Sequence, residues 1–252
     1  MKTSNKLLIA VLVFLPVSLV LYNFLLKGEF VKGNIRMNAA DFVSKSNKRS
    51  LKPFRHIVYD GALWKVSENG TRRSFSESHN LRLFFRKDTA SWMELSAMQE
   101  RYMKVRQEGD TLFISYLVDR MTEGKYFNDH SLQIYAQELA SVTGDHCWIE
   151  VFGLSQKDVP LKVHMKEKAR CLMYGGVLPR LNLQLETDAI CDISWGGAID
   201  TLGYRFGRQT TLNISNDTKV RVWQPVGVDS TAKIALSGSA VSMMGYLQAK
   251  EE

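Results

Sequence analysis

The residues of this chain best equipped for chemistry are five acids near successive turns of a strand-like region: Glu186, Asp188, Asp192, Asp200 and Asp217. Glycoside hydrolysis by general acid and base needs two carboxyl groups at a defined separation across a sugar. An enzyme that processes envelope glycans is therefore one reading. The other is an ordinary wet surface, since Asp192 alternates outward between Cys191 and Ile193. Spacing alone brings no two of these acids together, and the noncatalytic reading is the stronger one.

Sulfur and imidazole chemistry is thinner still. Cys171 and Cys191 hold equivalent positions in two alternating units. In adjacent parallel strands, about 4.8 Å apart, they fall within reach of a disulfide. They fit equally as two buried small thiols, and Cys147 stands apart. No Cys-x-x-Cys is present to support redox work or structural zinc. The histidines, His56, His79, His130, His146 and His164, follow no metal-ligand spacing, and no cofactor is implied. His146 and Cys147 are strand neighbours that face opposite ways. Asn69-Gly70-Thr71 and Asn216-Asp217-Thr218 match the glycosylation pattern, and the second also suits a turn.

The elements that must position these groups read mostly as short strands. Alternation marks FRHIVY from Phe54, LWKV after Gly61, Asn80 to Phe85, and Thr111 to Leu117 after the Gly109-Asp110 turn. Residues 91–104 read as a short helix with Trp92, Leu95, Met98 and Met103 on one face. Met121 to His130 reads as a loop.

Further on, one arrangement recurs. Leu161, Val163 and Met165 are followed by Ala169, Cys171 and Met173; twenty residues later come Leu181, Leu183, Leu185, Ala189, Cys191 and Ile193. A third copy, offset by 29, contains Thr210, Leu212, Ile214, Thr218, Val220 and Val222, and a fourth begins at Ala232. Cys147 to Val151 resembles the second half of an earlier copy, with Leu132 and Ile134 before it. Stacked coils are expected, in a right-handed parallel β-solenoid, because one such unit cannot bury its apolar face alone. A β-sandwich of hairpins is the alternative. The longer interval implies an inserted corner holding Gly203, Tyr204, Phe206 and Gly207.

On the outward side, Lys162, Asn182, Thr211 and Lys233 form one expected ladder, and His164, Gln184, Asn213 and Ala235 another. Such ladders suit an extended glycan or a protein, or are simply the wet side of a sheet. Trp195, Tyr204, Phe206 and Trp223 lie near repeat ends. Exposed, they would favour a ligand; buried, they would be packing.

Ahead of all this runs Leu7 to Leu26, twenty residues without a formal charge. At about 1.5 Å per residue they make roughly 30 Å of helix, the thickness of a bilayer core. Lys2 and Lys6 before it, Lys27 after it, and Tyr22 near its end suit the two interfaces. The run exceeds a cleaved signal's apolar region and lacks its small-residue cleavage site. A single-pass anchor in the lipid bilayer is expected, with the following domain exported. Residues 1–6 are then a tail, 7–26 the anchor, 27–52 a connector, 53–245 the β domain and 246–252 a polar end. Formal net charge is +7, and residues 27–60 hold eight basic against three acidic residues. That stretch reads as a solvated stalk, or as a patch for anionic head groups. No nucleic-acid module accompanies the charge.

Several of these segments, PFRHIVYDGALWKV at 53–66, GDTLFIS at 109–115, LQIYAQELASVTGDHCWIEV at 132–151, LNLQLETDAICDIS at 181–194, TLNISNDTKVRV at 211–222 and AKIALSGSAVSMMG at 232–245, together resemble the head GIN domain. That is an auto-transporter adhesin family of bacterial envelope proteins. Cys147-Trp148 and the ETDA corner at 186–189 depart from the family's small-residue pattern. The resemblance implies an exported, solenoid-like β domain with an adhesive role and no assigned chemistry.

Overall fold

The computed structural model describes residues 3–31, 46–62, 64–66, 72–74, 80–86, 90–96, 99–100, 103–117, 132–215 and 217–238. One helix and the strands fall into two separate compact units. The helix, α1, covers Thr3–Val31 and encloses the apolar run, with Pro16 inside it. Proline brings no N–H to the helical ladder. Two residues on, the Ser18 hydroxyl donates to the Leu15 carbonyl at 2.9 Å. Side chains on α1 are described from 14 to 28, and nearly all are exposed, Phe14 at 72 %. Among the described residues no helix is long and apolar enough to cross a membrane.

The second unit is β throughout. In chain order its first strands are β1 (Ser46–Ser50), β2 (His56–Asp60), β3 (Trp64–Val66), β4 (Arg72–Ser74), β5 (Asn80–Phe85) and β6 (Trp92–Ser96). Next come β7 (Met103–Glu108), β8 (Thr111–Tyr116), β9 (Leu132–Ala136), β10 (Ser141–Asp145), β11 (Trp148–Phe152) and β12 (Leu161–Met165). The chain closes with β13 (Arg170–Leu185), β14 (Ile190–Phe206), β15 (Thr211–Ile214), β16 (Lys219–Val228) and β17 (Lys233–Leu236). Strands β3 and β4 pair with each other, and the other fifteen share one curled sheet.

Period-2 alternation of apolar and polar residues explains why these segments extend. On β9, Leu132, Ile134 and Ala136 are buried while Gln133 and Tyr135 are half-buried, and β12 repeats the pattern. The helix expected at 91–104 gives way to strand at both ends for the same reason, and among the described residues between them only Gln99 and Glu100 are helical. Met93 and Leu95 are buried two residues apart, with Trp92 and Glu94 outward, and β7 opens at Met103. Met98 and residues 121–130 lie outside the described residues, as do Asn69-Gly70-Thr71, Asn216 and 246–252. Part of the expected connector is strand: β1 pairs antiparallel with β6.

Parallel pairing dominates. Leu161 is level with Leu181, and Leu181 with Leu202. On another stretch Ile149, Cys171, Cys191 and Leu212 form one continuous buried row, which Ile234 extends as an exposed residue. The antiparallel hairpins of a sandwich are therefore not found at these positions. The first two copies keep their expected register, but the third does not. Thr211 and Leu212 lie beside Ile190 and Cys191, which is the second half of the preceding copy. The partner of Leu181–Leu185 is Leu202–Phe206. The supposed inserted corner is thus the end of β14. Likewise the first half of the earlier copy is Ser141–Asp145, whose Val142 lies beside Val163, while Leu132 lies beside Leu81 on β5.

Turns recur with the register. His146, Lys168, Asp188 and Gln209 take positive φ of 46°, 54°, 60° and 57° at intervals of 22, 20 and 21 residues. At two of these turns Ala169 N donates to Lys166 O and Ala189 N to Glu186 O. The left-handed residue is then the third of a four-residue turn. Gly175 and Gly176, both with positive φ, bend β13 in its middle, and Gly176 is level with Gly197. Long strand β13 therefore serves two stretches of sheet: its first half pairs with β11 and its second with β12.

Candidate functional site: the outward rows of the sheet

Residues between the inward ones form rows of their own on the outside. Along β6, β9, β5, β11 and β13 one row is wholly aromatic: Trp92, Tyr135, Phe84, Phe152, Tyr174. Successive ring centroids are 3.7, 5.1, 5.0 and 4.7 Å apart, with interplanar angles of 11°, 19°, 11° and 10°. Rings stacked this way cover each other's faces and turn their edges to solvent. Lys48 Nζ sits 4.6 Å from the Trp92 ring and Arg86 5.4 Å from Tyr135, in cation–π geometry. Desolvation first, and the Glu150 carboxylate second, hold the Tyr174 phenol above its ordinary pKa. Sequence reasoning followed the core positions and missed this row. Its signal was there: Leu83-Phe84, Ile134-Tyr135, Val151-Phe152 and Met173-Tyr174 each set an aromatic after an inward residue.

Next to it runs a charged row. Arg82 Nε meets Glu150 Oε2 at 2.7 Å. Arg170 contacts Asp192 Oδ2 with Nε and Nη2, at 3.1 and 2.7 Å, while Asn213 donates to Asp192 Oδ1. Asp192 is thus spent on structure. The other candidate acids are engaged separately: Glu186 with His164, and Asp200 with Arg221 at 3.3 Å. Asp188 and Asp217 occupy left-handed turns. Among the described residues no three His, Cys, Asp or Glu side chains are grouped to hold a metal.

A second outward face covers β2, β10, β12 and the later halves of β13 and β14. His56, Ser141, Lys162, Asn182 and Gly203 are level with one another, as are Val58, Thr143, His164, Gln184 and Arg205. Two of the expected ladder contacts, Lys162 with Asn182 and His164 with Gln184, are therefore made. Beyond them the expected ladders divide, because Thr211, Lys233, Asn213 and Ala235 run along the other stretch. His56 Nδ1 lies 2.7 Å from Ser141 Oγ, and His164 Nε2 2.5 Å from Glu186 Oε1. Exposed Lys162 and Arg205 form no ion pair among the described residues.

The aromatic candidates are placed differently from expectation. Phe206 is buried at 3 % exposure, so it is core packing and not a ligand platform. Tyr204 stands 5.0 Å from Phe206 and 6.2 Å from Trp223, both Tyr204 and Trp223 packing against the core from its margin. Period 2 explains this: Leu202, Tyr204 and Phe206 repeat the inward positions of Leu181, Leu183 and Leu185. The Trp195 side chain lies outside the described residues.

Cys171 and Cys191 are level, fully buried and free. The Cys171 thiol bonded to it, and then burial, push the Cys191 thiol well above its ordinary pKa. Burial raises Cys147 also. Thiolates, the reactive form, are disfavoured there.

One cleft of about 430 Å³ opens elsewhere, lined by Phe54, Arg55, Glu138, Gln156, Lys157 and Asp158 among others. Arg55 and Glu138 pair with each other at 2.7 Å. The buried Gln156 amide is bonded to Leu139 N, Leu139 O and Val159 O at 3.2, 2.7 and 2.8 Å. The cleft has the volume of a small-molecule site, but its best-placed polar groups are already satisfied.

No family model matches the chain, and no curated protein matches it. Solved structures do. A "putative adhesin" from Bacteroides fragilis shares 10 % identity over 77 % of this chain and 98 % of its own, with a TM-score of 0.38. A "putative lipid binding protein" from Parabacteroides distasonis shares 12 %, over 78 % and 96 %, at 0.35. A "putative cell adhesion protein" from Clostridium sporogenes shares 10 %, over 77 % and 98 %, at 0.27.

Proposed function

We propose that this chain is a noncatalytic protein of a bacterial envelope, held in the membrane by its N-terminal helix and presenting an exported, solenoid-like β domain for adhesion or ligand binding. The observation that carries the binding reading is the second outward face. Parallel register sets Lys162, Asn182, His164, Gln184 and Arg205 at strand spacing, so that an extended partner meets several polar groups at once. The anchor reading rests on the uncharged stretch from Leu7 to Leu26 and on the exposed apolar side chains of α1 after residue 14. Catalysis is disfavoured because Asp192 and Glu186 are each bound to a partner of their own.

Two measurements test this. The chain stays in the membrane pellet after alkaline extraction, and Leu12→Arg with Leu19→Arg releases it; a wild-type chain recovered in the supernatant removes the anchor. A screen against envelope fractions and glycans finds a binder whose affinity falls with Lys162→Glu. Sugar release from those glycans, with loss on Asp192→Asn, would instead favour the enzyme.

A further inference from the structure

The second outward face is unevenly charged. Its part formed by β12, the later halves of β13 and β14, and the adjoining turns carries six cations, Lys162, Lys166, Lys168, Arg180, Arg205 and Arg208, against the four carboxylates of Glu167, Glu186, Asp188 and Asp200, and Asp200 faces Arg221 at 3.3 Å. Glu186 is occupied by His164 at 2.5 Å. Arg180 donates to the side-chain oxygen of Gln224 yet remains exposed. Lys162, Lys166 and Arg205 form no ion pair among the described residues. Unlike the charged row beside the aromatics, where Arg82 and Arg170 are neutralised by Glu150 and Asp192, these cations keep their charge for something else.

Between them lie neutral hydrogen-bonding groups. Asn182 and Gln184 are half-buried in the strand between Lys162 and Arg205. Gly203, level with Asn182, is buried and lets the Asn182 amide lie close over it: a Cβ there would stand 2.9 Å from Asn182 Oδ1. Among the described residues no aromatic ring faces outward here, since Tyr204 and Phe206 turn to the core. That absence separates partner chemistries. Proteins that hold single-stranded nucleic acid combine cations with rings on which bases stack. Cations interleaved with carboxamides suit a chain rich in hydroxyls that carries its own negative charge. Neighbouring strands lie about 4.8 Å apart, so an extended polymer crossing them meets a fresh polar side chain at each short step.

We propose that this face binds an anionic polysaccharide of the polyuronate kind, running across the strands, with Lys162 and Arg205 meeting its carboxylates and Asn182 and Gln184 its hydroxyls. The inference rests on the ligand-binding reading above and narrows it to one ligand class.

The test uses the full chain in detergent micelles with three probes: polygalacturonate, its methyl ester and single-stranded DNA. Polygalacturonate should bind with an affinity that falls as salt rises. The methyl ester, with the same backbone and no charge, should bind at least about tenfold more weakly, and Lys162→Glu with Arg205→Glu should cost polygalacturonate a similar factor. Lys219→Glu, on a different stretch, should leave binding unchanged. Circular dichroism and a melting curve establish that the variants remain folded, and Lys162→Gln with Arg205→Gln gives a milder pair if the reversal unfolds. The proposal is overturned if the ester binds as well as the acid, if both double variants bind like the wild type, or if the DNA binds more tightly than polygalacturonate. Should neutral glycans or envelope fractions bind while polygalacturonate does not, the ligand class is wrong and the binding role survives. If none of them binds, both fall.

Discussion

Two stretches of one sheet, made by the same strand β13, put their outward side chains to opposite uses. On the stretch served by Arg170–Tyr174 the aromatic rings stack on each other and the arginines close onto Glu150 and Asp192. On the stretch served by Leu181–Leu185 the side chains beside Asn182 and Gln184 include lysine and arginine without a counter-charge. Parallel register repeats whatever it is given. A row of rings becomes cohesion because each ring's face is consumed by its neighbour. A row of amides and cations leaves its hydrogen-bonding ends turned outward. The first face closes on itself, and the second keeps the polar groups outward that the proposed binding role needs.

That contrast can be broken most severely at the bend joining the two halves. A Cβ at Gly176, φ +117°, would stand 2.0 Å from the Leu154 carbonyl oxygen. Gly176→Ala should therefore cost at least about 3 kcal/mol. Gly196→Ala, with positive φ but nothing within 4 Å, should cost only about 1–2 kcal/mol. Urea melts compare the two, and equal losses would show that the bend does not depend on close approach at Gly176.

A smaller effect sharpens the division of labour. Phe152→Ala removes the contacts with Phe84 and Tyr174 together and should cost about 1–3 kcal/mol. Lys162→Ala should change stability by no more than about 0.5 kcal/mol. Equal destabilisation would erase the distinction between a cohesive and a receptive face.

The smallest effect is expected at the turn linking β16 to β17, which passes from one stretch to the other. The Thr231 hydroxyl and backbone N–H donate to Asp229 Oδ1 at 2.6 and 2.8 Å, and these bonds hold its carboxyl below the ordinary value. A lowered native pKa gives stability that is present above the unfolded pKa, near about 3.9, and is lost as pH falls through the native value. Thr231→Val should raise the Asp229 titration midpoint toward that ordinary value and shrink the acid loss. Carboxyl NMR between pH 5 and 2 reads the midpoint directly.

Much of the fold was legible because burial follows period 2. Leu161 and Leu181 could be matched across twenty residues since both are followed by the same alternation and a turn of the same length. The match failed at Thr210 for a related reason. Both stretches of the sheet alternate with the same period, so a slip from one stretch to the other keeps every apolar residue inward and costs the pattern nothing. Only the pairing of Leu202 with Leu181 exposes it. The second outward face was half legible. Lys162, His164 and Gln184 followed from their place between inward residues, but Arg205 was hidden in the supposed corner. Its exposure depends on Tyr204 and Phe206 turning inward, which the slipped register did not predict.

Pro225 lies near the middle of β16, which pairs only with β14 among the described strands, and the register shifts just where Tyr204 gives way to Arg205. A parallel ladder has no natural end: each strand offers the next one a template, and growth by accretion is the standing hazard of such edges. Proline supplies no donor to a newcomer, and the local irregularity spoils the even rhythm it would have to match. Among the described strands, β16 is thereby made a poor template for a newcomer.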